Sequence, residues 1–228
     1  MKKIITSLAL LMAMTSVSAQ DPSTWKEGEE VSDQLQWAEY DFSVFTQPGS
    51  DGAVWQTAGG GITAFDFNEV EMFDKPEGSE LYQIFWLPAG VYRFTWQGFY
   101  RGNYNPGYWE GSEQINAVVF AESVTLDEEG NVTETTRSTT SKFASIASSK
   151  NSDGRLYETD QWDNDVSYTY NGTTYYVPNC MNGTRQYFDA GYYDDNSIQV
   201  IQTEDGYIRL GIRKTGHLGG DWTIFSNF

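Results

Sequence analysis

The segment from Tyr100 to Glu110 gathers the clearest recognition chemistry in this 228-residue chain: Tyr104, Tyr108 and Trp109 sit among Gly102, Asn103, Asn105, Pro106 and Gly107, with Arg101 and Glu110 at its borders. Its Gly, Asn and Pro content reads as a loop. Flat rings in a loop can stack on the apolar face of a sugar while guanidinium, amide and carboxylate groups hydrogen-bond its hydroxyls. Arg101, Tyr104, Tyr108 and Trp109 are therefore the candidate ligand-binding residues. The same rings can instead fold back and cap one end of the core. The two arrangements differ in whether Trp109 is exposed near Arg101 or Tyr104, or buried.

Chemistry that makes and breaks bonds has a thinner basis. The chain holds a single histidine, His217, in the Gly-rich stretch Lys214 to Gly220, and it has no Gly-x-Ser-x-Gly elbow, no Cys and His pairing and no His-x-x-x-His spacing. Triad hydrolysis and zinc chemistry lack their parts. Gly59 to Gly61 precede a strand and so lack the helix N-terminus that holds phosphate. The 32 carboxylates leave a glycosidase open, since that needs only two at the right separation. The adjacent acids Glu29 and Glu30, Asp127 to Glu129, and Asp194 and Asp195 all lie in polar, turn-like contexts where a solvated surface is the default. No catalytic residue is assigned. Three readings follow: a non-catalytic glycan-binding protein, a carboxylate-dependent glycosidase, or a structural and adhesive surface protein that recognises a protein partner.

The ends and the composition set the stage for these readings. Lys2 and Lys3, the apolar run Ile4 to Met14 and the small residues Val17, Ser18 and Ala19 form a signal peptide over residues 1–19. Residues 20–228 are expected to be one β-sandwich domain that is secreted, periplasmic or at the cell surface. Gln20 is not the cysteine of a bacterial lipid anchor, and no later run approaches the roughly 18 apolar residues a bilayer needs, so no membrane insertion is expected. Removing the two leader lysines takes the formal charge from −18 to −20, a field that disfavours nucleic acid and anionic membranes and suits solubility. The lone Cys180 forms no internal disulfide and reads as a small buried hydrophobe.

The elements that must position these residues are short strands. Aromatics make up 16% of the chain, a bias toward sheet. Turn signals recur at Pro48-Gly49, Pro88-Ala89-Gly90, Gly130-Asn131, Asn171-Gly172, Asp205-Gly206 and Gly219-Gly220. Tyr92, Phe94 and Trp96 alternate with Arg93, Thr95 and Gln97, which predicts a central strand with one buried face. The preceding run Leu81 to Leu87 is nearly continuous in apolar residues, so both its faces are expected to be covered. Asp205-Gly206 predicts a hairpin between Ile198 to Thr203 and Tyr207 to Arg213, and Asn171-Gly172 a second one over Tyr168 to Tyr176. Glu122 to Ser141 reads as an exposed hairpin and Ser148 to Asp165 as a long surface loop. Only Asn182 to Ala190, after the Val177-Pro178 break, reads as helix. The fold class is all-β: a two-sheet antiparallel β-sandwich.

Several stretches together resemble a family of secreted jelly-roll domains from Bacteroidetes, similar to galactose-binding-like domains and carbohydrate-binding modules. They are Val31 to Trp37, Leu87 to Phe94 with Gln97 to Arg101, Val177 to Asn179 with Tyr187 and Phe188, and above all Gly206 to Thr215 with Asp221 to Phe228. The resemblance implies a jelly roll, a cell-surface or periplasmic place and a glycan or polysaccharide partner, on a fold that hosts many functions. It implies no cofactor. Such sandwiches admit a structural calcium ion, but no oxygen-ligand loop of regular spacing is present. The shared residues read mostly as structure: Gly211 for close packing between sheets, Trp222, Ile224 and Phe225 for the closing strand and core, Asp221 to tie a loop or join a structural cation site. The chain carries Ser226 where such domains commonly have aspartate and stops at Phe228, so a short or frayed last strand is expected.

Overall fold

The computed structural model describes residues 26–32, 35, 37, 39, 42, 45–102, 113–156 and 167–228. Within them the strands are β1 (Gln56–Ala58), β2 (Ala64–Asp66), β3 (Glu69–Phe73), β4 (Glu80–Leu87), β5 (Gly90–Arg101), β6 (Ala117–Leu126), β7 (Val132–Lys142), β8 (Ala144–Ser145), β9 (Ser167–Tyr170), β10 (Thr173–Tyr176), β11 (Asn196–Gln202), β12 (Gly206–Lys214) and β13 (Trp222–Ser226). A 3-10 turn covers Ile146–Ser149, and the helix α1 covers Met181–Asp189.

Side-chain alternation decides the layers. In β4, Leu81, Phe85 and Leu87 point into the core while Tyr82, Ile84 and Trp86 stay half-buried on the other face. In β12, Ile208, Leu210 and Ile212 are core residues, and Tyr207, Arg209 and Arg213 occupy the alternate positions. One sheet has the order β1-β4-β12-β6-β7 and the other β11-β5-β13-β3-β2, with β8 added in parallel beyond the end of β11 against β5. The remaining pairs in both sheets are antiparallel. Between the sheets Trp37 stacks on Phe85 at 5.3 Å and meets Phe94 edge-on, and Trp96 meets Phe143 edge-on at 5.6 Å. Each such ring removed from water contributes on the order of 1.5–3 kcal/mol before the edge contacts are counted.

This is the expected antiparallel β-sandwich, and its winding is that of a jelly roll. The connections from β4 to β5 and from β11 to β12 both cross from one sheet to the other. They run side by side, with Leu87 opposite Gly206 and Gly90 opposite Gln202, so the two strand pairs form one antiparallel ribbon folded over the sandwich edge. The Ala89 N–H donates to Asp205 Oδ1 at 2.9 Å and staples the two crossings together. Pro88 has no N–H to continue a ladder, which suits it to the fold line. The predicted hairpin between Ile198 to Thr203 and Tyr207 to Arg213 is therefore corrected: β11 pairs with β5, and β12 lies between β4 and β6. Asp205-Gly206 sets a turn, and the inward faces of both strands direct it across the core, because Ile198 and Val200 meet that core from one side and Ile208 and Leu210 from the other.

The six-stranded sheet carries a second layer on its outer face. Phe99, Trp222 and Ile224 are covered there by Tyr187 and Phe188 of α1, with Ile146, Val177 and Tyr193. Helix α1 starts after Val177 and Pro178, as the sequence predicts, and Cys180 is its N-cap: Sγ accepts from the Gly183 N–H at 3.3 Å. The cysteine is half-buried and caps a helix, where a fully buried hydrophobe was expected. The hairpins at β6 to β7 and β9 to β10 form as predicted, the latter with Tyr168 stacked on Tyr175 at 5.2 Å. The last strand is not frayed. All five residues of β13 are buried between β5 and β3, and the Ser226 hydroxyl donates to Asn68 O at 2.6 Å. Gly211 serves a close approach within a sheet, not between sheets: a Cβ there would lie 2.2 Å from Leu81 O of the adjacent β4.

Candidate functional site

Of the four residues singled out in the sequence, Tyr104, Tyr108 and Trp109 lie outside the described residues. Arg101 ends β5 on the outer face of the six-stranded sheet and is only 5% exposed. Its Nη1 donates to Asn179 Oδ1, and its guanidinium lies 4.9 Å from the centroid of Trp222. Trp222 in turn donates through Nε1 to Glu71 Oε1 at 2.8 Å. Arg101 thus ties the end of β5 to Asn179 and Trp222.

A different constellation is built on the outer face of the five-stranded sheet by β4, β12 and β6. Register places its side chains in rows across the three strands: Trp86, Tyr207 and Val124; Ile84, Arg209 and Glu122; Tyr82, Gly211 and Phe120; Glu80, Arg213 and Val118. At the centre is Gly211, which lets Tyr82 and Phe120 close over the bare backbone. Above them the two arginines and two glutamates pair in a ring. Glu80 accepts from Arg209 and Arg213, and Glu122 accepts from the same two, at 3.1 Å from Arg209 Nη1 and 2.9 Å from Arg213 Nη2. The guanidiniums lie flat on the rings, Arg209 3.8 Å from the Tyr82 centroid and Arg213 4.0 Å from that of Phe120. Burial works against the charge of Arg213, but its hydrogen bonds to Glu80 and Glu122 outweigh that and hold its pKa above the ordinary value.

What this face can do follows from its parts. Each carboxylate already accepts from two guanidiniums, so neither is placed as a proton donor. The two arginines balance the two glutamates in formal charge, and the Arg213 side chain, 26% exposed, is the most open of the four. Beside it Trp86 and Tyr82 are half-buried and Tyr207 is 41% exposed, which leaves ring surface open to solvent next to fixed polar groups. No family model and no curated protein matches the chain. Among solved structures it is similar to TmCBM61, determined in complex with β-1,4-galactotriose, at 15% identity and a TM-score of 0.35 over 85% of this chain and 94% of that one.

The signal for this face was in the sequence. Tyr82, Ile84 and Trp86 alternate within the run Leu81 to Leu87, and Tyr207, Arg209 and Arg213 alternate within β12. The continuous hydrophobicity of the first run suggested two covered faces, and the structure leaves one of them half-open. What no spacing could show is that β12 brings both sets, and Glu122 of β6, onto a single surface.

The remaining chemistry-bearing residues fall elsewhere. The acids Glu29, Glu30, Asp127, Glu128, Glu129, Asp194 and Asp195 are exposed. Asp127 is held below the usual carboxylate range by hydrogen bonds from Asn131 and the surrounding turn. His217 is exposed in its loop, 2.9 Å from Asp74 Oδ1. Asp221 ties that loop as expected: its Oδ2 takes 2.7 Å and 3.0 Å bonds from the buried Lys214 Nζ and Tyr100 hydroxyl, and a longer one from the Leu218 N–H. Among the described residues no group of three or more His, Cys, Asp and Glu converges to hold a metal ion.

Proposed function

We propose that this chain is an exported, non-catalytic glycan-binding protein and that it takes its ligand on the outer face of the five-stranded sheet. The observation that carries this reading is the pair Trp86 and Tyr207, partly open to solvent beside the interlocked Arg209, Arg213, Glu80 and Glu122, with Tyr82 held beneath Arg209. Rings supply apolar stacking for a pyranose face. The charged groups, held in place before any ligand arrives, offer oriented hydrogen bonds at little entropic cost. A polysaccharide chain suits an open face better than a single sugar suits a closed pocket, because Trp86 and Tyr207 lie side by side on the neighbouring strands β4 and β12. Tyr104, Tyr108 and Trp109 are proposed, with Arg101, as a second contact for such a chain.

A glycan array run beside a hydrolysis assay on one preparation tests the reading. Saturable binding without turnover is expected, with Trp86→Ala or Tyr207→Ala weakening it at least tenfold, a loss of about 1.4 kcal/mol. Turnover that disappears on removing a single acid would establish the glycosidase instead. Silence in both assays would favour a surface protein that recognises protein.

A further inference from the structure

We propose that a cavity beside α1, on the opposite face of the molecule from the aromatic array, is a binding site for the protonated primary amine of a sugar-sized ligand; this goes beyond the glycan reading and stands apart from it. The cavity has a volume of about 420 Å³ and is bordered by Phe67, Glu69, Gln97, Arg185, Asp189 and Ser226. That is the scale of a small-ligand pocket. Register lines up Gln97, Ser226 and Glu69 across β5, β13 and β3, and α1 supplies the opposite wall.

Glu69 is the unexplained group. Its side chain borders the cavity, the residue is only 2% exposed, and Oε2 is buried with no hydrogen-bond partner among the described residues. A buried carboxyl group is ordinarily partnered, because leaving one unmade bond is costly. The neighbours that could satisfy it are otherwise engaged. The Gln97 amide donates to Phe188 O and Tyr192 O, the Ser226 hydroxyl donates to Asn68 O, and Arg185 lies 3.6 Å from Asp189 and 5.5 Å from the Phe67 ring centroid. The charged groups around Glu69 are Asp66 on β2 and Asp189 and Arg185 on α1, so acids outnumber bases. Burial first, then Asp189, push Glu69 up to about 9, with Asp66 adding to the rise and Arg185 opposing it.

An ammonium group entering this cavity meets the one thing that turns Glu69 from a cost into a pair. Binding converts the carboxylic acid to a carboxylate, releases its proton to solvent and leaves an ammonium–carboxylate contact at the largely buried Glu69. The Phe67 ring, 40% exposed at the rim, and the polar wall of Ser226 and Asn227 suit a polyhydroxylated ring attached to the amine.

Titration calorimetry with glucosamine as probe, and glucose and N-acetylglucosamine as controls, tests this at pH 7 in two buffers of different ionisation heat. Glucosamine should bind at least tenfold more tightly than either control, and the two buffers should report proton release. Glu69→Gln should weaken binding at least tenfold. Two surface variants that leave the core alone should move affinity in opposite directions, each by about threefold: Asp189→Asn weaker and Arg185→Gln tighter. Equal affinity for the controls, an unchanged Glu69→Gln isotherm, or no saturable glucosamine binding overturns the proposal. Trp86→Ala separates the two sites: it should leave the glucosamine isotherm unchanged, and losing it would assign the amine to the aromatic face and overturn this site as well.

Discussion

The two outer faces of the sandwich handle the same residue types in opposite ways. On the five-stranded sheet Glu80 and Glu122 are each shared by two arginines, and a tryptophan, Trp86, is left half-open. On the six-stranded sheet Glu69 has a buried oxygen without a hydrogen bond among the described residues, and the tryptophan, Trp222, is 2% exposed beneath α1 and its neighbours. The first face is finished as a surface: its carboxylates are paired and its Trp86 and Tyr207 rings are partly exposed. The second is finished as a core layer with one polar group left over. Exposure and pairing, not residue type, divide the two faces.

The tryptophans break the comparison most sharply. Trp222→Ala should cost about 3–5 kcal/mol, as for a large aromatic lost from a core. Trp86→Ala should cost about 1 kcal/mol or less. Urea denaturation of both variants checks this, and a larger loss for Trp86 would make the five-stranded face structural.

The glutamates give the next effects, of opposite sign. A folded-state value near 9 means that Glu69 holds a proton which the unfolded chain releases above about 4.5. This contribution to stability is fully present below about 4.5 and is lost as pH rises toward 9. At about 1.4 kcal/mol per unit, Glu69→Gln should raise stability at pH 7 by up to about 3 kcal/mol and flatten its decline with pH. Thermal melts from pH 4 to 9 read both. Glu80→Gln should instead destabilise by about 2 kcal/mol, since two guanidiniums must then share one carboxylate. The loss should shrink little in salt, because the pairs are partly buried. If both substitutions shift stability in the same direction, the contrast between the faces fails.

The smallest effect concerns the rim of the open face. Tyr207→Ala should change stability by about 0.5 kcal/mol or less, since the residue is 41% exposed at the rim of the sheet. Its effect on glycan affinity, read from the same array, should be much the larger.

Legibility followed the range of the physics. The helix after Pro178, the hairpin at Asn171-Gly172, the central place of β5 and the loop-tying role of Asp221 were readable because turn chemistry, proline and period-two alternation act over a few residues. The partners of β11 and β12 were not. Asp205-Gly206 looks the same whether its strands pair with each other or fold across a core, and only the competition of β4, β5 and β6 for those strand edges decides. Tyr104, Tyr108 and Trp109 stand out in the sequence because they are close along the chain, whereas the open face is assembled from β4, β6 and β12, with Tyr82 and Arg213 far apart in the chain.

The sequence by itself determined an all-β chain, its inward-facing residues and the stock of rings and charges, because alternation and composition are local properties. Tertiary structure alone decided which charges meet. Glu80 and Glu122 acquired arginines because β12 was placed between β4 and β6, while Glu69, at the start of β3 and beside α1, was buried without a hydrogen-bond partner for Oε2 among the described residues. The pairing of a carboxylate depends on what the neighbouring strand presents at the same row, and strand order is a result of packing the whole sandwich.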